Sequence, residues 1–83
     1  GTTEFYGSSA GAVLAGTYGN MWFTGSGTKS IAGAVIATGG NVALFGVTVS
    51  NNLTVNGGGS LTVTSMDLNN DGTLTNSGTI TVN

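Results

Sequence analysis

Short triplets of the form apolar–polar–apolar recur along this chain at a nearly constant spacing, and this repetition constrains the fold more than any other feature. LTV begins at Leu53 and again at Leu61, and similar triplets begin at Val47 and Ile80. A shift of 19 residues superposes strand-like pairs and turns together, which indicates a repeat architecture. The superposed positions are Val42 and Leu44 on Leu61 and Val63 and then on Ile80 and Val82; Val47 and Val49 on Met66 and Leu68; Ala34 and Ile36 on Leu53 and Val55 and then on Gly72 and Leu74; Ser50 on Asn69; and Gly59 on Gly78.

The spacing is less regular toward the beginning of the chain. Phe5 precedes Phe23 by 18 residues, and Ala12 precedes Ala34 by 22. Met21 and Phe23 precede Val42 and Leu44 by 21. Insertions of this size at turns are tolerated when each repeat contacts only its neighbours. The repeat is therefore clearest over 34–83 and looser over 1–33, within a single expected domain, 1–83.

Each repeat holds three segments in which apolar residues alternate with others, a pattern typical of strands with one buried face. Turns of Gly, Asn and Ser separate these segments. We therefore predict an all-β parallel β-solenoid of about four turns, or rungs, of ~19 residues, each with three short strands that pair with their equivalents one rung away. The alternative is a small antiparallel sandwich or meander, which also has short strands but needs no fixed period.

The stretches GSGTKSIAGAVIATGGNVALFGVTVSNNLTVNGGGSLTVT and LTNSGTITVN are rich in Gly, Asn and Thr. In this they resemble the repeats of bacterial secreted β-helix proteins, the adhesin-like and autotransporter-like surface proteins. The resemblance covers residues 20–83 and is one of repeat style. It implies a right-handed parallel β-helix, secretion, and a role outside the cell or at the cell surface. It carries over no functional residues.

Charge and composition exclude several classes of function. The chain has one Lys, no Arg, three acids and a formal net charge of −2, so it lacks the basic footprint of a nucleic-acid-binding protein. It has no cysteine, and therefore no disulfide can stabilise it. The segment Ile31–Val49 is uncharged and long enough to cross a bilayer, but Gly, Asn and Thr dilute it, so we do not expect membrane insertion.

The two ends of the predicted solenoid are the expected sites of interaction. A parallel solenoid leaves unpaired backbone groups at both ends, and no segment here has the composition of a capping helix. We expect residues 79–83 to open a fifth rung without completing it. Head-to-tail stacking of identical chains would pair both edges and produce a self-assembling filament, a homopolymer. The alternative is a fragment of a larger β-helical surface adhesin. The expected stacking residues are Thr2, Thr3, Phe5 and Tyr6 at one end and Thr79, Ile80, Thr81 and Val82 at the other.

The chain is poor in catalytic groups. It has no His, and its only closely spaced acids, Asp67 and Asp71, lie at or beside one expected turn rather than across a cleft. A Ser or Thr nucleophile would have only Lys29 as a base. We therefore expect no enzymatic activity and no cofactor.

The stretch DLNNDG resembles the first half of a calcium loop. Asp67, Asn69 and Asp71 would supply oxygens, and Gly72 would allow the bend. The bidentate Glu expected at the twelfth position is replaced by Gly78, and the equivalent turn one repeat earlier has no acids. A turn of Asx residues explains the stretch without a metal, because Asn and Asp bond their own backbone.

Two further alternatives depend on outward-facing side chains. Flat ranks of threonine pairs would suit ice binding, although Asn and Ala interrupt them; exposed aromatics would suit glycan binding. Trp22 and Phe45 are expected to point outward beside inward Phe23 and Leu44. The threonine pairs are Thr62 with Thr64, Thr73 with Thr75, and Thr79 with Thr81.

Overall fold

The computed structural model describes residues 1–38 and 46–83, and within them it contains twelve strands and no helix. Three parallel sheets of four strands form, in the orders β1-β4-β7-β10, β2-β5-β8-β11 and β3-β6-β9-β12, here called sheets A, B and C. The predicted all-β parallel solenoid of about four rungs with three strands each is confirmed. The strands are β1 Thr2–Phe5, β2 Gly11–Val13, β3 Gly16–Tyr18, β4 Asn20–Phe23, β5 Lys29–Ile31, β6 Ala34–Ala37, β7 Val47–Val49, β8 Asn52–Val55, β9 Ser60–Val63, β10 Leu68–Asn70, β11 Thr73–Asn76 and β12 Thr79–Val82.

Each rung contributes one strand to every sheet, so rung 1 is β1–β3, rung 2 is β4–β6, rung 3 is β7–β9 and rung 4 is β10–β12. Rungs 2 and 3 supply most of the core, because their alternate residues point inward and are fully buried. In β8, Leu53 and Val55 are buried while Thr54 between them is partly exposed. The core residues are Val13, Met21, Phe23, Ile31, Val35, Ala37, Val47, Val49, Leu53, Val55, Leu61, Val63 and Met66.

The fixed shift of 19 residues holds in only one part of the structure. Leu61 pairs with Ile80 in sheet C, as predicted, and Gly78 lies against Gly59. The shift is wrong in sheets A and B, where the spacing is 21: Val47 pairs with Leu68 instead of Met66, and Leu53 pairs with Leu74. The predicted stacking of Ala34 on Leu53 is also wrong, since Ala34 pairs with Ser60.

The predicted registers upstream are partly wrong for a related reason. Phe5 pairs with Phe23, as the spacing of 18 indicates, but Ala12 pairs with Ser30 instead of Ala34. Met21 pairs with Val47, which lies beyond the predicted Val42. The link from β6 to β7, residues 38–46, is much longer than the single residue between β3 and β4, so no constant period can superpose rungs 2 and 3. The predictions for Val42, Leu44 and Phe45 lie outside the described residues.

The predicted fifth rung is also wrong. β12 pairs with β9 and completes rung 4, because the long link between rungs 2 and 3 uses residues that a strict 19-residue repeat would assign to a further rung. Tyr6 lies just beyond β1 and is 75% exposed. Among the described residues no helix is long and apolar enough to cross a membrane. Ile31 and Val49, from the uncharged segment, lie in the solenoid core.

The corners between sheets A and B differ in length from rung to rung. They hold five residues in rungs 1 and 2 (6–10 and 24–28) but two in rungs 3 and 4 (50–51 and 71–72). Two amides bridge this mismatch: Asn51 Nδ2 donates to the carbonyl of Thr24 at 2.9 Å, and Asn52 Nδ2 to that of Ser26 at 3.0 Å. Rung 4 stacks more closely, since a Cβ at Gly72 would overlap the carbonyl oxygen of Asn51.

Candidate assembly surfaces at the two ends

The two outer rungs expose sheet edges. Within the described residues, each strand of rung 1 pairs only with rung 2, and each strand of rung 4 pairs only with rung 3. The strand registers place six residues of each outer rung in the same six inward columns. We call these sets the head face and the tail face. The head face is Thr3, Phe5, Gly11, Val13, Gly16 and Tyr18, and the tail face is, in the same column order, Leu68, Asn70, Leu74, Asn76, Ile80 and Val82.

Aromatic rings fill one side of the head face. The ring of Phe5 stacks on that of Phe23 with centroids 4.7 Å apart and an interplanar angle of 11°. Tyr18 meets Phe5 edge-on at 5.9 Å, and its hydroxyl donates to the carbonyl of Leu14 at 2.5 Å. Phe5 and Tyr18 are only partly buried, because nothing covers rung 1 on its outer side. The head face therefore presents apolar ring surface.

The other side of the head face is open, because two of its positions are glycine. A Cβ at Gly16 would meet nothing within 4 Å, and a Cβ at Gly11 would meet only the Cδ atom of Lys29, at 3.7 Å. Gly16 also has a φ of +149°, a conformation that favours glycine. The column of Gly11 and the column of Gly16 thus have space at this end of the solenoid.

Lys29, the only cation among the side chains, occupies an inward column below Gly11 and is 7% exposed. Its Nζ donates to three backbone carbonyls, those of Ser9 at 2.8 Å, Gly27 at 3.2 Å and Gly7 at 3.4 Å. It therefore ties the long corner of rung 1 to that of rung 2. Our sequence analysis treated Lys29 only as a possible base. The signal was present: Lys29 and Ile31 alternate around Ser30 as Leu53 and Val55 alternate around Thr54, with which they pair.

We expect Lys29→Met to lower the free energy of unfolding by about 1–3 kcal/mol, because the carbonyls lose a charged donor while methionine keeps most of the aliphatic stem. Urea unfolding followed by circular dichroism measures this. Ser30→Ala, at the neighbouring outward position, is the matched control and should change stability little. A Lys29→Met protein as stable as the parent would contradict a structural role for the ammonium group.

The tail face is apolar in four of its six columns. Leu68, Leu74 and Ile80 are partly buried against the core, and Val82 is 51% exposed. Asn70 occupies the column of Val49, and its Oδ1 accepts a hydrogen bond from the backbone N–H of Gly72 at 3.1 Å. Asn76 makes the same contact with Gly78 at 3.0 Å. These two amides close local turns at the corners instead of filling the interior.

The predicted stacking residues lie in these outer rungs, and the structure separates them by direction. Phe5, Ile80 and Val82 belong to the inward columns, and so does Thr3. Thr2, Thr79 and Thr81 alternate with them and are exposed. Sequence reasoning missed Tyr18, Leu68 and Leu74, which complete the two faces, because the register in sheets A and B had been displaced.

The candidate calcium residues lie along a strand and its ends. Asp67 precedes β10, Asn69 is its central residue and Asp71 follows it. Alternate side chains of an extended strand are separated by about 6–7 Å, whereas a calcium loop folds its ligands around one point. No group of three His, Cys, Asp or Glu side chains able to hold a metal is present in ranges 1–38 and 46–83. The Asx bond from Asn70 to Gly72 matches the turn interpretation, and calcium binding stays a prediction.

The outward faces are largely uncharged. Trp22 is 37% exposed, as expected for an outward residue, and its Nε1 donates to Ser50 Oγ at 3.0 Å. Thr62 pairs with Thr81 in sheet C, but the same column contains Ile36. The part of the chain that is described contains no detected cavity. Comparison of the chain with protein-family models, with curated proteins and with solved structures finds no match.

Proposed function

We propose that this protein is the structural subunit of an extracellular or cell-surface filament that polymerises by head-to-tail stacking of solenoid ends. The observation that carries the proposal is the state of the two end faces. Both present unpaired parallel strand edges together with half-buried apolar side chains that continue the columns of the core. Edges of this kind pair with further strands when nothing blocks them.

The partner in this proposal is a second copy of the same chain. The head face and the tail face are different surfaces, so their contact is heterologous and repeats without closing. The last strands of one copy, β10, β11 and β12, would pair with β1, β2 and β3 of the next. Stacking would cover Phe5 and Tyr18 at one end and Leu74 and Ile80 at the other, which extends one core through many chains.

The low charge of the chain supports the same proposal. Charged residues make up 5% of the sequence, whereas an ordinary soluble domain has about 25%. In a stacked solenoid, equivalent positions lie one strand spacing apart, where like charges destabilise pairing. Asn and Thr can instead hydrogen-bond in ladders along such a stack.

Electron microscopy of the concentrated, purified protein tests the proposal. We expect unbranched filaments with a strand spacing of about 4.8 Å and a subunit rise of about 19 Å, which corresponds to four rungs. Filaments that repeat only at the strand spacing would mean one flattened chain per layer, as in amyloid, and would contradict solenoid stacking. Monodisperse particles at all concentrations would favour the alternative, a segment of a larger β-helical surface protein.

A further inference from the structure

We infer that successive copies stack in a single rotational register, with sheet A on sheet A, so that the central outward residue of β1, Glu4, lies directly over Asn69 of the preceding copy. This inference rests on the proposed function. A three-sided solenoid could stack in three rotational settings, since any of the three tail strands could lie under β1. Four features of the described residues favour the like-on-like setting.

The first feature is the fit of the inward columns. In the like-on-like setting Gly11 lies over Leu74 and Gly16 lies over Ile80. The two open columns of the head face therefore meet the two partly buried aliphatic residues of the tail face. This arrangement fills the space that the glycines leave, as close packing of a protein interior requires.

The second feature is the opposite fit at the aromatic and asparagine columns. Phe5 lies over Asn70, whose amide bonds to Gly72. The ring of Phe5 already packs face-on against Phe23 on one side, so it can cover the solenoid interior from the other. Rotation by one sheet would place β1 over β11 or β12, so that Phe5 would lie over Asn76 or Val82 and the glycine columns would no longer meet Leu74 and Ile80 together.

The third feature is the corner between sheets A and B. The like-on-like setting places the five-residue corner 6–10 of one copy over the two-residue corner 71–72 of the other. The same five-to-two mismatch already occurs at this corner between rungs 2 and 3, where amides bridge it. The fourth feature is the corner between sheets B and C, which has two residues in both rung 1 (14–15) and rung 4 (77–78).

Charge gives this register a specific signature. Glu4 lies in the outward column of sheet A that ends in Asn69, and Asp67 and Asp71 lie two positions to either side of Asn69. All three carboxylates of the chain thus approach one another at the junction. Thr24 Oγ1 donates to Glu4 Oε2 at 2.7 Å and draws that carboxylate toward rung 2. The nearest cation is Lys29, which is held by carbonyls at the adjacent corner.

Three lysine variants can report the register: Asn69→Lys, Thr75→Lys and Thr81→Lys. Each changes the central outward residue of one tail strand, each site is exposed, and each changes the net charge by the same amount. We expect Asn69→Lys to lower the critical concentration for filament growth about two- to fivefold relative to the other two at low ionic strength, the gain of one cross-strand pair of opposite charges. High salt should remove most of that difference.

Sedimentation of filaments over a concentration series measures the critical concentration. Adding Glu4→Gln to Asn69→Lys should abolish the gain, because the partner of the new lysine is removed. A larger gain at Thr75 or Thr81, or equal gains at all three positions, would overturn the like-on-like register while leaving filament formation itself intact. Absence of filaments from the parent and from all three variants would overturn the proposed function instead.

Discussion

Replacement of Ile80 by lysine is expected to raise the critical concentration for filament growth at least 100-fold. Ile80 pairs with Leu61 and is partly buried against the core from below, while its outer side is open. In a filament the next copy would seal that side and enclose the lysine without a partner. An unpaired buried charge destabilises by several kcal/mol, which exceeds a factor of 100 in an equilibrium constant. Light scattering and electron microscopy measure the loss.

The isolated subunit should survive this substitution. At an open end the lysine can direct its ammonium group to water, so we expect only the apolar contact with the core to be lost, about 1–2 kcal/mol. Thr81→Lys is the matched control, because it adds the same charge to the neighbouring, outward position of β12. Normal filaments from Ile80→Lys, or equal loss in both variants, would contradict a junction built on the tail face.

Periodicity predicted the architecture of this protein but not its register. Alternation such as Leu53–Thr54–Val55 specifies a strand with one buried face, and repetition of that pattern indicates a solenoid. The register depends on the lengths of the links, which vary from one residue to nine between sheets C and A. The triplets LTV, VTV and ITV are so similar that several shifts superpose apolar pairs equally well. Only the backbone pairing distinguishes them.

The end faces were predictable in part. Phe5 and Ile80 follow from the strand patterns at the two ends, and both belong to the faces. The open columns at Gly11 and Gly16 could not be predicted, because a glycine in a Gly-rich sequence does not show whether it lies in a corner or in a strand. Lys29 was missed because a lysine normally indicates an exposed position, whereas here carbonyls of two corners satisfy it.

Phe23→Ala should destabilise the subunit by about 3–5 kcal/mol, enough to unfold much of a domain of this size. Phe23 is fully buried in rung 2 and stacks on Phe5, so its removal leaves a cavity inside the core. Phe5→Ala is the informative comparison, since Phe5 occupies the same column one rung nearer the end. Urea unfolding should be measured in the Ile80→Lys background, where stacking does not add to the apparent stability.

In that background we expect Phe5→Ala to lower the free energy of unfolding by only about 1–2 kcal/mol, because one side of the ring is already in water. Without the Ile80 substitution, Phe5→Ala should also raise the critical concentration about tenfold, since stacking would bury the exposed side of the ring. The two effects together distinguish an end that is covered in the filament from one that stays open. If Phe5→Ala destabilised the isolated subunit as much as Phe23→Ala, the head face would already be covered in the monomer. If it left the critical concentration unchanged, Phe5 would lie outside the junction.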